Sequence, residues 1–265
     1  MNPFYFGNSN HPLYGVFHPP AAQELRSEAI LLCPPFGQEY MRSHRAYRQL
    51  ALLLNKRGFP VLRFDYRGTG DSFGELKDTN ICDWLEDINV AAEELKHTAQ
   101  VENISIVGLR LGGLLASAAS STSTKLKISR LILWDTLPSG KDFHEDLVQD
   151  ISKSPDSLGK FIDQNGTLHF NGFGLSKNQL QDLHKLDLYQ EPPKATQVIQ
   201  ISSSESPVEQ KLKLNWASKE NFSYILTPAP GDWNFVDDFG GILLPHEIIQ
   251  EIVKLFDKPV KDAKS

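Results

Sequence analysis

Cysteine is scarce: Cys33 and Cys82 are the only two in 265 residues. One pair cannot build a disulfide framework, and such usage fits a reducing compartment, so a cytoplasmic setting is expected. Positive charge is in deficit, with 27 Lys and Arg against 33 Asp and Glu. The resulting net charge of −6 argues against a nucleic-acid partner steered by bulk charge. No apolar run approaches the roughly 18 residues needed to span a bilayer. The opening Met1-Asn2-Pro3-Phe4-Tyr5-Phe6 lacks a basic n-region and an apolar h-region, so neither a membrane span nor a signal peptide is expected. The eight histidines show no H-E-x-x-H or other ligand spacing, which leaves a metal site unsupported, and no cofactor is expected. Repeats, heptads and low-complexity tracts are missing too, and only residues 258–265 read as a frayed tail.

What is present is a globular mixture, 40% hydrophobic and 23% charged, long enough for one large domain or two small ones. From Glu28 onward, short apolar runs alternate with helical patterns, the mark of a mostly parallel α/β sheet with helices on both faces. Residues 29–32 read as the first buried strand, with 13–17 as an antiparallel edge strand before it. Ser43 is the expected N-cap of a helix carrying Tyr47, Leu50, Ala51 and Leu54 and ending at Gly58. Further strands are expected at 60–64, 104–107, 131–134, 198–201 and 224–226. A closing helix from Pro245 carries Ile248, Ile249, Ile252, Val253 and Phe256 on one stripe. Between 138 and 194 the rhythm breaks into polar helices, a Gly-bearing hairpin at 166–174 and Pro192-Pro193. This stretch is expected to be an inserted cap or lid on a core made of 1–137 and 195–265. Ligands of open α/β sheets bind at the carboxyl ends of the strands, which directs attention to the residues just after each one.

Three of those segments carry a resemblance. Cys33-Pro34-Pro35-Phe36-Gly37-Gln38-Glu39 looks like an oxyanion-hole loop, Leu62-Arg63-Phe64-Asp65-Tyr66-Arg67-Gly68-Thr69-Gly70-Asp71-Ser72 like the strand and turn of a serine-aminopeptidase-like enzyme, and Gly108 to Gly112 lies where a nucleophile elbow belongs. In order and spacing they resemble the α/β-hydrolase superfamily over nearly the whole chain. The combination is similar to bacterial hydrolases associated with exosortase systems and biosynthetic clusters. The resemblance implies an α/β-hydrolase fold and, at first sight, ester, thioester or acyl-transfer chemistry.

The elbow departs from that pattern. The superfamily motif is G-x-S-x-G, and its central position here is Arg110. A guanidinium stays protonated in proteins and serves as neither nucleophile nor general base. The superfamily order then asks for an acid after strand 198–201, where Glu205 is the candidate, and a His after 224–226. The loop Pro228-Ala229-Pro230-Gly231-Asp232-Trp233-Asn234 has no His, and Trp233 stands about where one is expected. His246 comes later, on the first turn of the last helix. No catalytic triad is supported.

Arg110 at the start of a helix faces the positive end of the helix dipole, so an anion should compensate it. Internal candidates are Glu39, Asp65, Asp135, Glu205 and Asp232. One reading makes Arg110 a structural ion pair under the former active site. The other makes it a clamp for a ligand carboxylate or phosphate. Phe36, Gly37, Glu39, Leu111, Asp135 and Trp233 are the expected surroundings of either. Cys33 is a nucleophile only if a base lowers its pKa, with His44 as the nearest helper in sequence; otherwise it is a buried strand cysteine. The Gly68, Gly70, Gly74 series misses the dinucleotide spacing by one residue.

The expected function is therefore an α/β-hydrolase-like protein without the Ser-His-acid triad, binding a small acyl or anionic ligand near Arg110. The alternative is a noncanonical ester or thioester hydrolase or acyltransferase that uses the oxyanion loop with another nucleophile or water. An interaction module using the cap as partner surface is a third class. Oligomeric state is open at this level.

Overall fold

The computed structural model describes residues 1–22, 25–153, 161–233 and 243–260, with side chains in the last turn of the 140s helix described as far as Val148. Parts of the expected insertion (154–160), the expected tail (261–265) and Asn234 lie outside the described residues.

Eight strands form one sheet in the order β1-β2-β4-β3-β5-β6-β10-β11. They are β1 Asn2–Asn8, β2 His11–His18, β3 Glu28–Cys33, β4 Val61–Phe64, β5 Asn103–Leu109, β6 Ile128–Trp134, β10 Ala195–Ser202 and β11 Phe222–Leu226. From β4 through β3, β5, β6 and β10 to β11 every pair is parallel, whereas β2 runs antiparallel to both β1 and β4. The strand expected at 13–17 is present but is not the edge. Asn2–Asn8, whose first residues show in sequence only the lack of a targeting signal, forms β1 outside it. Gly15 permits that pairing to close: a Cβ there would lie 2.8 Å from the Phe6 ring.

The strands are buried on both faces, so their hydrophobic runs are continuous. Ile30, Leu32, Val61, Val107, Ile132 and Ile199 point toward α1 (Gln38–Lys56) and α7 (His246–Asp257). Their alternates Leu31, Leu62, Ile106, Leu133 and Val198 point toward α2 (Ile81–Ala99), α3 (Leu111–Thr122) and α6 (Pro207–Trp216). The stripe of α7 is buried as its periodicity predicts. Pro245 takes the N-cap position, one residue before the helix it was expected to open.

Helix α1 begins six residues earlier than the Ser43 signal indicates. Its N-cap is Gly37, at φ 65°, and Ser43 lies inside the first turns, its hydroxyl donating to the Tyr40 carbonyl at 3.2 Å. A side-chain cap is favourable but not required when a glycine turns the chain. Between β6 and β10 the chain forms α4 (Gly140–Lys153), a small sheet of β7 (Phe161–Ile162), β8 (Leu168–Phe170) and β9 (Phe173–Leu175), and α5 (Lys177–Leu183). The β8–β9 hairpin turns at Asn171-Gly172, both at positive φ, the pairing that a two-residue hairpin loop prefers. No helix of the described residues is long and apolar enough to cross a membrane.

Candidate functional site

Arg110 occupies the single residue between β5 and α3, at φ 53° and ψ −121°. Four non-glycine residues among those described have positive φ. Gln100 caps α2 and Asn171 turns the hairpin; Arg110 and Asp135 lie at the carboxyl edge of the parallel sheet. Strain of this kind persists only where the surroundings impose it, and here close packing of α3 does. A Cβ on Gly112 would lie 2.3 Å from the Cys33 carbonyl oxygen, and one on Gly113 would lie 2.0 Å from Thr136 Oγ1. The two glycines let the helix start against the ends of β3 and β6, and the chain must turn sharply at Arg110 to enter it.

Tyr47 holds the adjacent strand ends. Its hydroxyl donates to the Cys33 carbonyl (2.7 Å) and accepts from the Leu109 N–H (2.9 Å). Sequence periodicity marks Tyr47 only as an apolar helix position, and nothing in the pattern distinguishes a tyrosine that bridges two strands from one that fills core.

The Arg110 side chain is about nine-tenths buried. Its Nε donates to Glu39 Oε1 at 2.8 Å and its Nη2 pairs with Asp146. Glu39 is fully buried on the first turn of α1, while Asp146 is partly exposed on α4. Burial alone would lower the guanidinium pKa, but Glu39 and then Asp146 outweigh it and hold the charge firmly in place. Of the five carboxylates weighed from sequence, Glu39 is the one that pairs. Asp65 instead accepts from the Tyr40 hydroxyl (2.7 Å) and the Asp71 N–H, and Asp232 is exposed. Asp146 was not among them, since it lies 36 residues from Arg110 in a different element and no local spacing announces the contact.

Asp135 and Trp233 form a second buried pair. Asp135 Oδ2 accepts from the Trp233 indole N–H at 2.9 Å and its Oδ1 from the Ser203 N–H. Burial raises the Asp135 pKa, and these donors partly offset it. Glu205, the expected acid, is exposed and accepts from Gln210 one turn along its own segment (3.2 Å). The carboxylate that meets Trp233 is Asp135, because β6 lies beside β10 and the ends of the two strands converge. His246 and His44 are exposed.

Glu209 was also missed. Ser206 and Glu209 form a capping pair, with the hydroxyl accepting from the Glu209 N–H and donating to its carboxylate. The S-x-x-E spacing is readable from sequence as a capping box; the burial of the carboxylate is not. That burial and the proximity of Asp135 push Glu209 up to about 7, against the opposing influence of Ser206, Ser202 and Arg110.

Phe36 continues the floor into an aromatic wall. Its ring lies 5.3 Å from Trp84 and 5.9 Å from both Phe170 and Phe173 of the β8–β9 hairpin. Leu111 is buried. Among the described residues, the N–H groups of Phe36 and Leu111 donate to no other protein group. Cys33 is fully buried and its thiol pKa is pushed well up by that burial, so it is held as the inert protonated form. No cluster of three or more His, Cys, Asp or Glu that would suit a metal ion occurs among the described residues.

A parallel sheet flanked by helices on both faces, with a strained strand-to-helix turn at its carboxyl edge, defines the hydrolase class of α/β folds. A family model described as alpha/beta hydrolase fold matches residues 28–229, and the chain belongs to that family. Solved structures agree at the level of fold. Est1E from Butyrivibrio proteoclasticus with ferulic acid bound is similar at a TM-score of 0.67 and 17% identity, over 95% of each chain. Alpha/beta hydrolase domain-containing protein 10 from mouse is similar at 0.59 and 18%, over 97% of this chain and 99% of that one. Proline iminopeptidase from Mycobacterium smegmatis gives 0.63 and 12%, over 97% and 98%. None of the curated protein sequences matches this one.

Proposed function

We propose that this protein is a catalytically degenerate member of the α/β-hydrolase family, of the serine-aminopeptidase-like branch and similar to the exosortase- and biosynthetic-cluster-associated group. In this reading it binds a small acyl-bearing or anionic ligand between the core and a cap formed by residues 138–194. The observation that carries the reading is Arg110 on the strained turn where the family pattern keeps its serine. Trp233 stands in for the catalytic His, with its N–H on Asp135 as an imidazole N–H would be on the triad acid. An indole N–H donates only and a guanidinium never deprotonates, so neither activates a nucleophile. The two free cysteines, one of them exposed, are in keeping with a reducing, cytoplasmic setting, and no nucleic-acid partner is proposed.

The N–H groups of Phe36 and Leu111 suit a neutral acyl carbonyl. A carboxylate reaches Arg110 only in exchange for Asp146, the more exposed of its two partners. Ethyl butyrate should therefore shift the Phe36 and Leu111 amide resonances of the wild-type protein. Butyrate should do so weakly, and several times more tightly in Asp146→Asn. A covalent adduct with a fluorophosphonate probe would overturn the reading.

The alternative, a noncanonical ester or thioester hydrolase or acyltransferase, is favoured by the same two open N–H groups. Oxyanion stabilisation without a triad leaves roughly 10³–10⁴-fold catalysis over water. Turnover of 4-nitrophenyl acetate beyond that range, with an acyl adduct mapped to one side chain, would establish it.

A further inference from the structure

The far end of the sheet holds a cavity of about 280 Å³ that the site above does not use. It lies where β3 and β6 begin and α7 ends, lined by Arg26, Glu28, Phe59, Arg130, Phe256 and Lys258 among others. Its volume is near the lower end of the range for small-molecule pockets.

Two buried aromatic rings, each 2% exposed, lie beneath its cations. Phe59 and Phe256 meet edge to face, 5.5 Å between centroids. The Arg26 guanidinium lies over Phe59 at 5.4 Å and that of Arg130 over Phe256 at 5.2 Å. Helix C-termini fix both cations in place: Arg26 Nε donates to the Arg57 carbonyl at 3.3 Å and Arg130 Nη1 to the Leu255 carbonyl at 3.1 Å. Helix ends of this polarity favour cations but carry only about half a charge each.

Among the described residues, the two carboxylates lining the cavity are already engaged. Asp257 pairs with Arg57. Glu28 takes the Ser105 hydroxyl on one oxygen and reaches Arg130 only at 3.8 Å with the other. Arg130 is 3% exposed, and its Nε has no acceptor among the described residues. Burial lowers the Arg130 pKa, Glu28 opposes this, and the repulsion of Arg26 lowers it further. Among the described residues these converging cations are short of counter-charge beside an open cavity, the electrostatic signature of an anion site.

We propose that this cavity is a second ligand site, separate from the Arg110 floor, and that it takes the phosphate group of a small phosphate monoester. A phosphate supplies nearly two negative charges and three acceptor oxygens, enough to satisfy two guanidinium groups and the Lys258 ammonium together. A carboxylate brings half the charge.

Phenyl phosphate is the probe, titrated into the full-length protein at low ionic strength and followed by calorimetry and amide shifts. It should bind saturably, about as tightly as inorganic phosphate and about tenfold or more tighter than phenol. Shifts should centre on Arg26, Phe59 and Phe256. Arg130→Gln removes a helix cap and risks the fold, so the exposed cations carry the test. Arg26→Gln and Lys258→Gln should each weaken binding about two- to fivefold while leaving the melting temperature in place. No saturable binding up to about 10 mM, equal affinity for phenol, unchanged affinity in the double variant, or shifts centred on Phe36 and Leu111 would each overturn the proposal. The result is independent of the reading of Arg110, whose variants act at the other end of the sheet.

Discussion

The two ends of the sheet treat arginine in opposite ways. At the carboxyl end one guanidinium, Arg110, is met by Glu39 and Asp146, with Asp135 and Glu209 close enough to influence it or be influenced by it. At the amino end, among the described residues, Arg26, Arg130 and Lys258 lie near two carboxylates, Asp257 held by Arg57 and Glu28 shared between Ser105 and Arg130. The same residue type is an internal tie in the first place and an open receptor in the second. The difference lies in which neighbours the fold brings within about 4 Å, and it bears on function: an anion arriving at the carboxyl end must compete, whereas one arriving at the amino end fills a deficit.

The sharpest way to break that comparison is to remove the cation from the carboxyl end. Arg110→Ser leaves Glu39 as a fully buried carboxylate stripped of its guanidinium, which should cost about 3–5 kcal/mol in urea or thermal unfolding. It should yield no esterase, because Trp233 offers no base. If the variant is as stable as wild type, Arg110 is no tie.

Glu209 provides the next largest effect. Its folded pKa, about 7, lies above the ordinary glutamate value, so the folded state binds its proton more tightly than the unfolded chain. The associated stability is fully present below about pH 4.5 and is lost as pH rises through about 7, a change on the order of 3 kcal/mol. Glu209→Gln should flatten that part of the stability profile; an unchanged profile would show that another group is responsible.

Trp233→Phe deletes the donor to Asp135 Oδ2 and should cost about 1–3 kcal/mol at neutral pH, read by chemical denaturation. Asp146→Asn touches the partly exposed member of the Arg110 cluster, so a loss of about 1 kcal/mol or less is expected. A loss as large as that of Arg110→Ser would mean that the α4 contact, rather than Glu39, dominates. Smallest of all, Arg26→Gln at the amino end should shift stability by no more than about 0.5 kcal/mol. A markedly stabilised variant would expose the like-charge repulsion there directly.

Much of the architecture was legible because it depends on local pattern. Continuous apolar runs bounded by glycine and proline marked six of the parallel-sheet strands, and Ile248 to Phe256 marked the face of α7. The hairpin at 166–174 was readable from its turn chemistry. Strand β1 has no clear signal in the sequence, where Met1 to Phe6 reads only as a stretch without a targeting signal, and its pairing with β2 is a tertiary fact. The start of α1 escaped because Gly37 turns the chain without a side-chain cap, leaving Ser43 as a misleading signal. At the site, Arg110 and Glu39 could be named in advance. Asp135 was named without its partner. Chain order points to Glu205, whereas the carboxylate that meets Trp233 is Asp135, because β6 lies beside β10.

From sequence alone came the strand and helix periods and a permanently charged side chain on the turn after β5, since both rest on the chemistry of near neighbours in the chain. Tertiary structure alone chose the partners. Glu39 and Asp146 lie 71 and 36 residues from Arg110, and Trp233 lies 98 from Asp135. Electrostatic and hydrogen-bond energies depend on distance in space, and only the closed sheet sets those distances.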